Sequence, residues 1–182
     1  MLFDKPGPAN TLQTLQAAFE RARVLGIEEI VVASASGATA LRAQELFKDC
    51  KIVAVTYHCG IEEPFQTVMT LEERAALEAK GVALVMATHA LSGIERAVAR
   101  KFSGIYPALL IAETLRLFGQ GVKVAVEISV MAADAGVLSG KDIIAIGGTA
   151  RGADAAVVIK PANQSDFFDL RIREVICKPR SY

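Results

Sequence analysis

Two short runs of β-branched residues, separated by a helical stretch, constrain the fold of this chain more than any other feature. The first run, EEIVVAS, covers residues 28–34, and the second, KIVAVTY, covers residues 51–57. Between them, SASGATA (34–40) leads into a predicted helix that ends near Phe47. Two strands joined through a helix lie parallel in one sheet, with a right-handed crossover. The sequence therefore predicts an α/β fold built on parallel strands.

Further strands are predicted along the rest of the chain. The glycine-containing loop TARGAD separates the predicted strands 142–148 and 155–161 and suits an antiparallel hairpin. The last predicted strand, 173–179, is expected at the edge of the sheet. Two more strands are predicted at 82–88 and 122–130. We see no linker or repeat and expect one domain over 1–182.

Capping residues and glycines mark the ends of the predicted helices. Asn10, with Gln13, is expected to cap a first helix that ends at Gly26, and Thr70 with Glu73 forms a capping box. Segment 58–70 has no periodicity and is expected to form a long loop, a length often used for functional lids. Other helices are predicted from about Ser92, near 107–119 and within 131–140.

The composition argues against several classes of protein. Lys plus Arg and Asp plus Glu each number 20, for a net charge of 0, whereas nucleic-acid-binding proteins usually carry a clustered positive excess. Three cysteines without CxxC spacing argue against a disulfide framework or a structural zinc site. We see no signal peptide and no apolar stretch of the roughly 18 residues that a membrane span needs. We therefore expect a cytoplasmic protein with no nucleic-acid or membrane partner, and a homo-oligomer remains open.

The segment SASGATA, directly after the first strand, is a candidate phosphate-binding loop. Ligands of open α/β sheets bind at the carboxyl ends of strands, where helix N-termini point N–H groups outward. Ser34, Ser36 and Thr39 supply hydroxyl groups, and Gly37 lets the backbone approach an anion closely. Such a loop can hold a phosphate with neutral donors alone. The alternative is that Ser36 or Thr39 only caps the helix.

His58 and His89 are the two histidines of the chain, and each directly follows a predicted strand. If the strands are parallel, both lie at the same rim as the candidate loop. Each could donate to a ligand or act as a general acid or base near neutral pH; the alternative is a surface or hinge histidine. Glu127 lies in the predicted strand 122–130, where a carboxylate is costly unless it is paired or faces a cleft. His58, His89 and Glu127 are therefore the candidate catalytic residues, although Glu127 could also lie at a solvated strand end.

Two further segments are candidate ligand contacts. The hairpin loop GGTARGAD (147–154) places Thr149, Arg151 and Asp154 among three glycines, which allow close approach to a ligand. Ser92 lies at a predicted helix N-terminus, which favours anions. A plain hairpin and a solvated helix end are the alternatives.

Several strings resemble the C-terminal α/β domain of pyruvate kinase. VVASASGATALRAQELF followed by KIVAVTYHCG resembles the family's Ser/Thr-Gly loop, helix and next strand. MAADAGVLSGKDIIAIGGTARGADAAVVI resembles its closing helix, turn and effector-loop hairpin. VTYH, SGIERAV and GGxxRGADxAVVI are similar to stand-alone proteins of this fold. The resemblance covers about residues 10–161 and implies a three-layer α/β sandwich with a mostly parallel sheet and an antiparallel edge hairpin.

The resemblance also implies a ligand. In allosteric pyruvate kinases the Ser/Thr-rich loop binds an effector phosphate, and the stand-alone family is associated with flavin mononucleotide (FMN) at this rim. We therefore expect a phosphorylated ligand, FMN first, and no pyruvate kinase activity, because the catalytic barrel with its metal carboxylates and lysine is absent from the sequence.

The alternatives are an enzyme of unassigned reaction that uses His58 and His89, and a regulatory module with a vestigial pocket. Few aromatic residues could stack on a flavin, and Tyr57, Phe65 and Tyr106 are the candidates. No metal ligand is predicted, and the expected cofactor-binding residues are Ser34, Ser36, Gly37, Ala38, Thr39, Thr56, His58, His89, Ser92, Gly148, Thr149, Arg151 and Asp154.

Overall fold

The computed structural model describes residues 1–181 and contains one seven-stranded sheet. Tyr182, the last residue of the predicted domain, lies outside the described residues. The strands are β1 (Leu2–Phe3), β2 (Glu29–Ala33), β3 (Lys51–Thr56), β4 (Ala83–Met86), β5 (Ile143–Gly147), β6 (Ala155–Lys160) and β7 (Arg171–Pro179). Their order across the sheet is β1-β7-β6-β5-β2-β3-β4. Strands β2 to β5 are parallel, and β6 runs antiparallel to both β5 and β7, which confirms the mostly parallel sheet with its antiparallel hairpin.

Helices cover both faces of this sheet. They are α1 (Thr11–Leu25), α2 (Ala38–Leu46), α3 (Leu71–Ala79), α4 (Gly93–Phe102), α5 (Pro107–Arg116) and α6 (Gln120–Asp134), with 3₁₀ turns at Pro8–Asn10 and Gln164–Asp169. Successive strand residues point to opposite faces. Ile30 and Val32 therefore pack in one core with α1, α2 and α3, while Val31 packs in a second core with α6. The three-layer sandwich is thus confirmed.

The predicted strand 122–130 is wrong, because these residues lie in the middle of α6. Buried residues follow one another from Gly121 to Ala132 with one exception, so no polar face marks the helical period. A helix buried on most sides has the same apolar run as a buried strand, and periodicity cannot separate the two. The short helix predicted within 131–140 is the last turn of α6, which ends at Asp134.

The end signals of the helices are confirmed in part. Gly26 ends α1 in the left-handed conformation at φ +65°, and Thr70 and Glu73 form the predicted capping box on α3. The Asn10 side chain does not cap α1; its Nδ2 donates to the Lys5 carbonyl oxygen at 2.8 Å. The reason is that Asn10 belongs to the preceding 3₁₀ turn and has helical backbone angles, which point its side chain away from the α1 N-terminus.

The predicted edge position of β7 is also wrong. β7 pairs with β6 on one side and with the two-residue strand β1 on the other. A strand as short as β1 carries no periodic signal, so the sequence could not reveal this pairing. Among residues 1–181, no helix has both the length and the apolar character that crossing a membrane requires.

Candidate functional site

The carboxyl ends of β2, β3, β4 and β5 meet at one edge of the sheet, which we call the rim. The strand registers pair Ala33 with Val55, Thr56 with Met86 and Val32 with Ile146. The loops that follow these strands are 34–37, 57–70, 87–92 and 148–154. The rim therefore brings together the loops that carry the predicted ligand-binding residues.

The loop between β2 and α2 leaves two of the first three N–H groups of α2, those of Ala38 and Thr39, without a side-chain partner. Gly37 is the residue before the helix, in the left-handed conformation at φ +83°. A Cβ atom there would lie 3.2 Å from Leu77 Cδ1, so a larger residue would be both strained and crowded. Neither the Ser36 nor the Thr39 side chain caps α2. Ser36 and Ala38 are exposed. The N–H groups of Ala38 and Thr39 therefore stay available to an anion.

Three predicted ligand-binding residues of this loop region, Ser34, Thr39 and Thr56, are buried, and two of them hydrogen-bond to the backbone of the loop or of α2. The Ala40 N–H donates to Ser34 Oγ at 3.4 Å, and the Ser34 N–H donates to the Val55 carbonyl oxygen at 3.0 Å. Thr56 Oγ1 donates to the Ala35 carbonyl oxygen at 3.1 Å. Thr39 is also buried. These contacts fix the shape of the loop, while Ser36 and Ala38 form its exposed surface.

The two histidines lie together at the rim, as their positions after β3 and β4 predict. The ring centroids of His58 and His89 are 5.5 Å apart in an edge-to-face arrangement. Tyr57 lies on the other side of His89, with ring centroids 5.7 Å apart. His58 Nδ1 is 2.7 Å from the Cys59 carbonyl oxygen, which fixes its ring. The three rings form a half-buried aromatic cluster, whereas Phe65, the other aromatic residue of this loop, is exposed.

The surroundings of His89 favour its neutral form. Burial lowers its pKa, an effect that Lys123, His58 and Arg96 reinforce and that the Glu127 charge opposes. His89 Nδ1 is buried, and within residues 1–181 it has no hydrogen-bond partner. A neutral imidazole carries one ring nitrogen that can accept a proton or a hydrogen bond.

Below the 87–92 loop lies a buried ion pair that sequence analysis missed. Lys123 Nζ and Glu127 Oε2 form a salt bridge on α6, with side chains only 4% and 3% exposed. Glu127 Oε1 accepts a hydrogen bond from the Leu91 N–H at 3.0 Å. Burial lowers the pKa of Lys123, although the Glu127 charge opposes the effect. Because both oxygens of Glu127 are engaged, this carboxylate positions the loop that carries His89.

The sequence did contain a signal for this pair. Lys123 and Glu127 are four residues apart, which is the spacing of an ion pair on one face of a helix. On a strand the same spacing would place the two residues about 13 Å apart along the chain. Because residues 122–130 were predicted to form a strand, Lys123 was not recognised as the partner of Glu127.

The hairpin loop between β5 and β6 divides into an exposed part and a buried part. Arg151 is exposed, and Gly148 and Thr149 are half-buried. Asp154 is fully buried, and its Oδ2 accepts a hydrogen bond from the Gly7 N–H at 2.9 Å. Asp154 Oδ1 is buried against Gly121, where a Cβ atom would lie only 2.4 Å away, and it has no hydrogen-bond partner among residues 1–181. Asp154 thus contacts the N-terminal segment and the start of α6.

Ser92, the remaining predicted contact, is buried and precedes α4. Its side chain does not cap this helix. Its N–H donates to the His89 carbonyl oxygen at 3.2 Å, and its own carbonyl oxygen accepts from the Arg96 N–H. Ser92 therefore shapes the turn between His89 and α4.

Two open spaces lie near this region. A groove of about 740 Å³ separates α1 from α2, lined by residues such as Leu12, Gln16 and Arg42. A cavity of about 280 Å³ lies between the 87–92 loop, through Thr88, and the end of α6, through Asp134. Neither space is lined by residues 34–39.

The chain was compared with models of known protein families. The model of the family described as pyruvate kinase, alpha/beta domain, matches residues 13–159. The matched region includes the 34–37 loop, both rim histidines, the ion pair of α6 and the β5–β6 hairpin.

Proposed function

Because the chain belongs to the pyruvate kinase α/β domain family, we propose that it binds a phosphorylated small molecule at the rim of its sheet. The observation that carries this proposal is the N-terminus of α2, where Gly37 adopts the left-handed conformation and the N–H groups of Ala38 and Thr39 have no partner among the described residues. Exposed groups of Ser36 and Ala38 lie next to the first N–H groups of the helix. Neutral donors arranged in this way bind an anion without a basic side chain.

FMN is the first ligand that we propose, because it joins a terminal phosphate to a flat ring. The phosphate would bind at Ser36 and at the N–H groups of Ala38 and Thr39. The ring would contact the cluster of Tyr57, His58 and His89, whose neighbouring ring centroids are 5.5 and 5.7 Å apart. A bound flavin would supply electron or hydride transfer, while the residues of the chain bind and orient it.

Further contacts in this proposal come from the neighbouring loops. Arg151 is exposed on the hairpin loop and would add a positive charge to the phosphate site, with Gly148 and Thr149 beside it. The other predicted residues have a supporting part. Ser34, Thr56, Ser92 and Asp154 are buried and would keep the loops in position.

A second candidate function is proton transfer to or from a phosphorylated substrate. It is favoured by the half-buried His89, which lies at the rim and whose pKa is lowered by burial. A neutral imidazole can serve as a general base near neutral pH. In this case Glu127 and Lys123 position His89 through the Leu91 N–H rather than exchange a proton with substrate.

The first test is binding of FMN and of riboflavin, measured by quenching of flavin fluorescence. We expect FMN to bind and riboflavin, which lacks the phosphate, to bind at least tenfold more weakly. The decisive variant is Ala38→Glu. A carboxylate in the first turn suits the helix itself but repels a phosphate, so the variant should fold normally and lose FMN binding by about 10–100-fold, the range expected for charged hydrogen bonds of about 1.5–3 kcal/mol.

The matched control is Ala75→Glu, which adds the same charge at an exposed position of α3. It should leave FMN affinity unchanged. Equal binding of FMN and riboflavin would contradict the phosphate assignment. If FMN does not bind but inorganic phosphate does, and Ala38→Glu abolishes phosphate binding, the loop is a phosphate site and the proposal of FMN as its ligand is wrong. If neither binds, the pocket is vestigial.

A further inference from the structure

Helix α4 turns its apolar side toward solvent. Ile94 and Phe102 are 81% and 68% exposed, and Val98 lies between them at helical spacing. No residue of α4 is buried. An ordinary surface helix does the opposite and packs its apolar stripe against the core. This stripe therefore lacks a partner within the described chain.

The polar side of α4 faces the protein instead. Glu95 Oε2 accepts a hydrogen bond from the Ala108 N–H at 2.9 Å, which ties α4 to the first turn of α5. Arg96 is half-buried and close enough to His89 to lower its pKa. The Glu95 hydrogen bond fixes the rotation of α4 about its axis, so the apolar stripe cannot turn inward without breaking it.

The exposed apolar surface continues beyond α4. Ile105, in the connection to α5, is 85% exposed; Leu110 lies on α5, and Leu117 directly follows the last residue of that helix. We call this surface the α4–α5 apolar face; it consists of the half-buried Val98 and the exposed residues Ile94, Phe102, Ile105, Leu110, Leu117 and Phe118.

The size of this face suits association with another protein molecule. If every residue is given the roughly 150–200 Å² of a buried aromatic side chain, the exposed parts of this face amount to at most about 800 Å². That is about the area that each partner contributes to a standard protein–protein interface. It also exceeds the largest apolar patch, about 300–600 Å², of a typical monomer. Other exposed apolar residues, such as Val24 on α1 and Phe168, lie on separate elements.

We propose that the α4–α5 apolar face is the interface of a homodimer with two-fold symmetry. A two-fold axis places the same patch of both molecules in contact, so an apolar stripe meets an apolar stripe. The net charge of 0 means that two copies do not repel each other as whole molecules. In the dimer Ile94 and Phe102 become buried, and Val98, midway between them, lies near the axis. This inference does not depend on the proposed ligand.

A lipid surface suits this face less well. A helix that lies on a membrane keeps a basic polar face in water, whereas here Glu95 hydrogen-bonds to α5 and Arg96 is half-buried. Exposed basic residues on α4 are limited to Arg100 and Lys101, fewer than the four to eight of a typical anionic-lipid site.

The test is the molar mass of the full chain in solution, measured by sedimentation equilibrium. Wild type should have twice the 19.3 kDa mass of one chain. The double variant Ile94→Glu, Phe102→Glu should sediment as a folded monomer, with dimer affinity lowered at least 100-fold. The control Val24→Glu changes an equally exposed apolar residue, 72% exposed, on α1 and should remain a dimer.

A second variant keeps the test valid if the double variant fails to fold. Val98→Cys, in a background where the exposed Cys59 is changed to Ser, should form a disulfide-linked dimer on oxidation. The proposal is overturned if wild type is a monomer up to about 200 µM, or if the glutamate substitutions leave a dimer intact. It is also overturned if a monomeric wild type binds anionic phospholipid vesicles and the substitutions abolish that binding.

Discussion

At the scale of single residues, His89 combines three properties that no other residue of the rim shares. It is partly buried, its Nδ1 has no partner among residues 1–181, and it lies within ring contact of both Tyr57 and His58. The sequence predicted its place at the rim from its position directly after a strand. The sequence could not predict its protonation, because that depends on burial and on charges from α4 and α6.

The lowered pKa of His89 predicts a pH dependence of stability. The unfolded chain takes up a proton on this residue near the ordinary value of about 6.5, while the folded protein resists protonation to lower pH. Stability is therefore fully present above about pH 6.5 and falls as the pH decreases below it. His89→Gln should remove the part of this decrease that is due to His89. The test is the free energy of unfolding of wild type and of His89→Gln, measured in urea between pH 5 and pH 8. If it depends on pH in the same way for both proteins, the lowered pKa of His89 is contradicted.

At the scale of elements, α6 shows how a helix can resemble a strand in sequence. It is buried against β2, β5 and β6, so its apolar residues have no period. The capping box of α3 was predictable because it depends on two residues three positions apart. Lys123 and Glu127 are also close in sequence, but their spacing predicts an ion pair only if the segment is first recognised as a helix.

The ion pair of α6 predicts a strongly non-additive set of variants. Glu127→Ala leaves Lys123 charged and unpaired in a buried site and should cost about 3–5 kcal/mol of unfolding free energy. The double variant Lys123→Met, Glu127→Leu replaces both charges by apolar groups and should recover most of this loss. Urea unfolding gives the values. If the double variant loses as much stability as the single variants Lys123→Met and Glu127→Leu lose together, the two charges do not interact.

At the scale of the whole molecule, the two ends of the described chain meet. The Met1 ammonium group donates to the Ile176 carbonyl oxygen at 2.7 Å, and β1 pairs in parallel with β7. The Asp154 contact with Gly7 attaches the same N-terminal segment to the β5–β6 hairpin. The first residues therefore support the rim from a position far from it in sequence.

Neighbouring residues of β1 provide a test of this support. Phe3 is buried in the core shared with α1, and Leu2 is half exposed. Phe3→Ala should lower the unfolding free energy by about 3–5 kcal/mol because it leaves a cavity, and Leu2→Ala should change it by less than about 1 kcal/mol. Thermal or urea unfolding measures both. Similar losses for the two variants would contradict the packing of β1.

The sequence by itself determined the parts that depend on neighbouring residues. These are the strand–helix–strand unit, the capping box, the hairpin and the placement of His58 and His89 after parallel strands. Tertiary structure decided the rest, because burial depends on residues distant in the chain. It made residues 122–130 a helix, turned Asp154 inward to Gly7, and faced the apolar stripe of α4 outward. Local spacing specifies which elements form, whereas only packing specifies which side of each element meets solvent.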